Sequence, residues 1–194
     1  MNMRRESINI SYIAIFSGLA LLTSLSGLSQ IIIYPPVPYL KFDPAEIFDM
    51  MAYFIGGFQI ALLTSLIHFI GLAILGGDLI GPSMKFLAVA SMITGFHIGV
   101  KISNKYIVQF GLSTFFRVLI TSIANIYILL LLAPGFLEMF NIYNTLFFIN
   151  LSGLELLIIA LILTGVYNVI HNVFSIGIAE LLSRYVKKSL ISRL

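Results

Sequence analysis

The sequence predicts an all-α integral membrane protein, and three observations support that fold class. Only 10% of the 194 residues are charged, against about 25% in a typical soluble domain. Apolar residues make up 59% of the chain, and the mean hydropathy is +1.05. Apolar blocks long enough to cross a membrane, about 20 residues each, follow one another with short polar breaks. No segment is long and polar enough for a soluble domain, so we expect residues 1–194 to form a single transmembrane domain.

The number of spans does not follow from block length alone. The apolar blocks cover residues 8–33, 47–75, 82–100, 106–133 and 146–183. Block 47–75 is long for one span and short for two, and block 146–183 has the same ambiguity. Hydrophobic periodicity does not resolve it, because helices that are apolar all round give little contrast between faces.

Basic residues resolve the ambiguity, because the positive-inside rule places them in the cytoplasm. They form three clusters: Arg4 with Arg5, Lys101 with Lys105, and the group Arg184, Lys187, Lys188 and Arg193. The rule requires an even number of crossings between clusters, which holds if 47–75 contains a short and a longer span and 146–183 contains one. We therefore expect six transmembrane helices with cytoplasmic N- and C-termini, in a multi-pass protein of the plasma membrane.

This topology places three loops, 34–46, 76–81 and 134–145, on the outer side, where they would cap a ligand pocket. It leaves the stretch around 146–166 partly as an outer-leaflet helix or cap before the last span. The alternative, with one span in 47–75 and two in 146–183, would place Lys101 and Lys105 outside.

Several classes of function are disfavoured. The small net charge of +3 sits at helix ends, which indicates membrane topology rather than nucleic-acid binding. The chain contains no cysteine, and no nucleophile–base pair, phosphate-binding loop or zinc motif is present. His68 and His171 without neighbouring thiolates or carboxylates make a weak metal site. We expect neither an enzyme nor a metal or cofactor protein.

Polar residues inside the apolar blocks are candidates for function, because hydrocarbon cannot satisfy them. Asn168 and His171 lie three residues apart on one helix face, where an amide and an imidazole can bind a planar heterocycle. Asn125 has an equally good structural explanation, a hydrogen bond between helices. We expect the Arg117 side chain to extend to a nearby membrane interface. The same explanation is open for Lys85.

The polar break at 38–47 carries Lys41, Asp43 and Glu46, and it resembles a known family. Its residues, Pro-Tyr-Leu-Lys-Phe-Asp-Pro-Ala-Glu-Ile, resemble the first-loop signature of the S components of energy-coupling factor (ECF) vitamin transporters. The riboflavin-specific group is the most similar. Residues 76–88, 121–127 and 167–171 resemble, in the same order, that group's third loop with the start of its fourth helix, its fifth helix and its sixth helix.

The resemblance implies that the chain binds a vitamin near the outer face and does not hydrolyse ATP itself. A flavin, riboflavin first, is the expected ligand. A membrane-embedded coupling subunit (the T component) and two cytoplasmic ATPases would complete the transporter. Ala14 and Gly18 are spaced as small residues that let another helix approach closely, and they resemble the patch that packs on the coupling subunit. The expected ligand-binding residues are Leu40, Lys41, Asp43, His68, Lys85, Asn125, Asn168 and His171.

The chain departs from the riboflavin group inside the expected pocket. His171 stands where the group has lysine, Lys85 where it has asparagine, and a Lys-Asn pair of the third helix is replaced around His68. These changes leave open an S component for a different vitamin. An autonomous small-solute permease without partner ATPases is the other alternative.

Overall fold

The computed structural model describes residues 3–28, 32–37, 39–147 and 150–191, and these ranges are dominated by α-helix. The helices are α1 (Met3–Leu25), α2 (Glu46–Gly56), α3 (Phe58–Gly76), α4 (Ile80–Ile102), α5 (Tyr106–Tyr127), α6 (Gly135–Glu138), α7 (Ile142–Phe147) and α8 (Leu154–Ile191). A π-helical turn, Ile128–Leu132, extends α5, and a 3₁₀ turn, Met139–Asn141, joins α6 to α7.

Five helices of the described chain are long and apolar enough to cross a bilayer: α1, α3, α4, α5 with its π-helical turn, and α8. Large apolar side chains such as Leu22, Ile74 and Ile107 are 69–74% exposed on their outer faces. Such surfaces belong against lipid, so the fold is that of a multi-pass membrane protein. Its orientation in the membrane stays a prediction.

Block 47–75 contains two helices, a short one and a longer one, as the sequence predicted. Gly57 separates them with a φ of 91°, a conformation that residues with a Cβ rarely adopt. With 11 residues, α2 is about 17 Å long, roughly half the thickness of the hydrocarbon core. The sixth crossing would therefore be a short, largely buried helix, and it stays a prediction.

The C-terminal block differs from its prediction. Helix α8 runs without a break over 38 residues, about 57 Å, so residues 154–166 belong to the last span's own helix and not to a separate cap. The polar segment before it forms the short helices α6 and α7 instead. At the other end of the chain, α1 stops at Leu25, well before the predicted end of its apolar block.

Helices α4 and α5 are in backbone contact at one end. A Cβ on Gly99 would lie 2.4 Å from Cα of Gln109, and one on Gly95 would lie 2.6 Å from the Leu112 carbonyl oxygen. Only glycine permits this approach. The two helices use their opposite halves, residues 81–88 and 117–129, to line a cavity.

Candidate ligand-binding site

A cavity of about 660 Å³ lies at the end of the bundle where the three predicted capping loops meet. Volumes of 300–1,000 Å³ are usual for sites that enclose a drug-sized molecule. Residues from the loop before α2 and from α4, α5 and α8 line it, with single residues from α2 and α6. The lining includes seven of the expected ligand-binding residues: Leu40, Lys41, Asp43, Lys85, Asn125, Asn168 and His171.

Residues 32–37 and 39–45, which we call the lid loop, form one wall of the cavity. Ile33 and Lys41 form an antiparallel bridge, and Tyr34 N–H donates to the Leu40 carbonyl at 2.9 Å. These contacts fold the loop back on itself and make it a compact unit. Pro38, the first residue of the loop motif, lies outside the described residues.

The lid loop is tied to the helices around it by its backbone carbonyls. Tyr167 donates its hydroxyl proton to the Lys41 carbonyl at 2.6 Å, and Tyr143 donates to the Pro36 carbonyl at 2.5 Å. The Tyr167 ring also packs on Phe42, with 5.0 Å between centroids. These contacts attach the loop to α7 and α8.

Asp43 connects the lid loop to the opposite wall. Its Oδ2 accepts hydrogen bonds from the Lys85 ammonium and from the Ser24 hydroxyl, the latter at 2.9 Å. Its Oδ1 accepts the Ala45 N–H at 2.9 Å. Lys85 therefore does not extend to the membrane interface, and it forms an ion pair with the lid loop across the cavity.

The floor of the cavity is a buried ion pair between α2 and α5. Arg117 donates from Nη1 and Nη2 to the two carboxylate oxygens of Glu46, at 2.6 and 3.0 Å. Ser175 donates to the same carboxylate at 3.2 Å. The two charged residues are 1% and 3% exposed. A bidentate geometry of this kind is the strongest that an arginine makes with a carboxylate.

The expectation for Arg117 was therefore wrong, since its side chain stays in the protein interior. The partner was not identifiable from the sequence, because Glu46 was counted among the charges of a loop and lies 71 positions away in the chain. The useful signal was present nonetheless: one arginine inside an apolar block has to find an acid or reach water.

Asn168 and His171 line the cavity, but their polar atoms are largely engaged within the protein. Asn168 accepts from Arg117 Nε at 3.0 Å and donates to the Thr164 carbonyl at 2.9 Å. His171 accepts at Nδ1 from Arg117 at 3.3 Å and donates from Nε2 to the Asp43 carbonyl at 3.2 Å. Asn168 thus holds the floor against α8, and His171 joins the floor to the lid loop.

Two lining residues have polar atoms with no partner among the described residues. The Asn125 side chain is 8% exposed and makes no hydrogen bond with the described part of the chain. The buried Tyr39 hydroxyl also has none. Burial raises the pKa of Tyr39 to about 12, so this group keeps its proton and is a donor at neutral pH. Buried polar groups normally have partners. The Asn125 side chain lines the cavity and is suited to bind a ligand, whereas the Tyr39 hydroxyl is closed off from the cavity as well as from water.

His68 is the one expected ligand-binding residue that does not line the cavity. It is 2% exposed and lies behind Lys85, where its Nδ1 donates to Asp49 Oδ2 at 2.9 Å. Neither α1 nor α3 contributes to the lining. Among the described residues, no group of three or more His, Asp and Glu side chains converges as a metal site would require.

Ala14 and Gly18 lie on the outside of the bundle. Ala14 is exposed and Gly18 is half-buried, and a Cβ built on Gly18 would meet no atom within 4 Å. Helix α1 is the least buried of the five long apolar helices, with 17% of its most apolar window inside the protein. The small-residue pair therefore belongs to an open helix face.

Comparison with known proteins gives one informative similarity. The fold matches a solved structure of the S component of a bacterial ECF transporter, with a TM-score of 0.72 and 20% identity. The match covers 95% of this chain and 98% of that one. No protein-family model and no curated protein matches the sequence. The two chains thus share one fold along almost their full length.

Proposed function

We propose that the protein is the substrate-binding S component of an ECF-type importer in the plasma membrane, and that it captures a vitamin in the cavity under the lid loop. The cavity of about 660 Å³ in a chain with an S-component fold carries this proposal. A separate coupling subunit and two cytoplasmic ATPases would supply the energy. The protein itself performs no catalysis.

The charges of the cavity favour an uncharged ligand. Its lining contains three basic side chains, Lys41, Lys85 and Arg117, and three acidic ones, Asp43, Glu46 and Asp78. Lys85 is paired with Asp43, and Arg117 with Glu46. The basic and acidic side chains of the lining are thus equal in number, and they leave no net charge to offset that of a charged ligand. Burying an unpaired charge is costly.

Riboflavin fits these requirements among the vitamins that the first-loop resemblance suggests. Its ring system is planar and uncharged, with donors and acceptors along one edge that suit the side-chain amide of Asn125. The apolar part of the lining, including Leu40, Met84 and Leu129, suits its ring faces. Its phosphorylated form, FMN, adds negative charge and is disfavoured.

Titration of the purified protein with riboflavin, followed by the ligand's own fluorescence, tests this proposal. We expect saturable binding of one riboflavin per chain and at least about tenfold weaker binding of FMN, a difference of about 1.4 kcal/mol. Equal affinity for the two would refute the argument from cavity charge. Failure to bind riboflavin or any other vitamin would refute the proposed function.

The open face of α1 provides a test of the coupling subunit. We expect Gly18→Phe to leave vitamin binding intact, because a larger side chain there meets open space. It should abolish uptake by the assembled transporter, because close helix contact needs small residues. Radiolabelled vitamin uptake into proteoliposomes measures the effect, with Ile107→Phe on the exposed face of α5 as the control.

The same experiment addresses the alternative of an autonomous permease. Transport by the protein alone, without added partner subunits or ATP, would support the permease and contradict the proposal. An unchanged uptake rate in Gly18→Phe would remove this helix face from the coupling interface.

A further inference from the structure

A line of polar side chains runs behind the cavity, from the interior of the bundle to the lid loop. Asp49 on α2 accepts from His68 Nδ1 at 2.9 Å. His68 Nε2 lies 3.0 Å from Ser24 Oγ and 3.4 Å from Lys85 Nζ. Lys85 donates to Ser24 at 2.6 Å, and both donate to Asp43 in the lid loop. Four helices and the lid loop thus meet in one network.

The inner end of this network is fully buried. Asp49 is 0% exposed and His68 is 2% exposed. Oδ1 of Asp49 has no hydrogen-bond partner among the described residues. Within that part of the chain, the Asp49 carboxylate therefore depends on His68 for its side-chain hydrogen bond. An ionisable pair in such a place is expensive to bury, and helix packing alone does not require it.

At the outer end of the network, the Lys85 ammonium needs neighbouring groups that hold it in one position. A lysine side chain has four rotatable bonds and loses much of its conformational entropy when it is held in one place. Ser24 and His68 contact the Lys85 ammonium on the side away from the cavity, and they restrict where it can lie. Asp43 then meets an ammonium that is already in position.

We propose that His68, anchored by Asp49, is a positioning residue that holds Lys85 in place to keep the lid loop closed. It acts through Lys85 and not on the ligand. The inference rests on the proposed function in one respect, that the cavity under the lid loop is where the ligand binds.

The order Asp49, His68, Ser24 resembles the triad of serine hydrolases, but the surroundings do not suit that chemistry. Ser24 donates its proton to Asp43, and it does not line the cavity. A nucleophilic serine needs its proton directed to the histidine and free access to the substrate. The geometry therefore suits positioning and not catalysis.

Thiol labelling can measure lid opening without any ligand. The chain has no cysteine, so Val37→Cys introduces a single thiol in the lid loop at a position that is 1% exposed. Its reaction with a water-soluble maleimide reports how often the loop opens, because a buried thiol reacts only from open states. Val37 does not line the cavity, and the replacement side chain is similar in size.

In this background, His68→Asn is the decisive change. The asparagine amide takes the place of Nδ1 and keeps Asp49 paired, while the hydrogen bond that Nε2 accepts from Lys85 is lost. We expect labelling at position 37 to become about tenfold faster, as for the loss of one hydrogen bond to a charged group.

Two controls separate lid opening from general loosening. Thr64→Val, one turn before His68 on α3, removes a buried hydroxyl that has no partner among the described residues, and it should leave labelling at position 37 unchanged. Ala179→Cys, a fully buried position on α8, reports global opening and should be insensitive to His68→Asn. Unchanged labelling at position 37, or an equal increase at position 179, would overturn the proposal whether or not riboflavin is the ligand.

Discussion

Replacing Arg117 alone with methionine is expected to destabilise the protein by about 3–5 kcal/mol, because Glu46 would remain buried without a countercharge. The carboxylate is 3% exposed, and no other arginine or lysine among the described residues forms an ion pair with it. Denaturant unfolding of the purified protein in detergent, followed by circular dichroism, measures the loss.

The double variant Glu46→Gln with Arg117→Met should recover most of that stability, since a buried ion pair adds little over a neutral pair of similar size. Arg184→Met is the matched control. Its pair with Glu180 lies one helical turn apart on the surface, where such pairs contribute about 0.3–0.5 kcal/mol. If Arg117→Met and Arg184→Met cost the same, Arg117 is not held in the interior as described.

Asn125→Leu is expected to weaken riboflavin binding by about 1–3 kcal/mol, or roughly 5- to 150-fold, and to leave stability unchanged. The reason is that the Asn125 amide makes no hydrogen bond within the described part of the chain and faces the cavity. Its partner would therefore come from the ligand. Fluorescence titration and thermal unfolding of the same preparation measure both effects.

Asn172→Leu is the opposite control. Asn172 is fully buried, donates to Thr114 at 2.8 Å and does not line the cavity. Its replacement should lower stability and leave the affinity of the folded protein unchanged. If Asn125→Leu lowers stability and not affinity, its role is a contact between helices, which is the alternative that the sequence left open.

The long apolar helices were predictable, because hydrocarbon requires about 20 apolar residues per span and the blocks are easily recognised. The division of block 47–75 followed from charge placement, not from any local signal at Gly57. Two adjacent glycines, Gly56 and Gly57, lie at this break, as Gly76 and Gly77 lie at the end of α3. A glycine pair does not say how many times the chain crosses the membrane, whereas the placement of the basic residues does.

The continuity of α8 could not be predicted from composition. Residues 146–166 and 167–183 are both apolar, and an apolar run longer than one span permits a break or a long helix equally. In the structure, Ala160 and Tyr167 pack into the same buried cluster beneath the lid loop. This packing extends the helix past the length that a membrane alone requires.

The site shows a similar limit. Asn168 and His171 were identified from their shared helix face, and both line the cavity, but their hydrogen bonds to Arg117 depend on α5 packing beside α8. Tyr39 was read as part of a loop motif, and its unpartnered hydroxyl is visible only once the loop is folded. Polar residues could thus be located from the sequence, whereas their partners required the fold.

The most direct measurement of the central claim is the identity of the molecule in the cavity. The protein can be purified from cells grown with a full supply of vitamins and then denatured, and the small molecules it releases can be identified by mass spectrometry. The Asn125→Leu variant is treated in the same way. We expect one uncharged vitamin, riboflavin, at close to one molecule per chain, and a markedly lower amount in the variant. A charged solute in its place, or the same amount of riboflavin in both preparations, would contradict it.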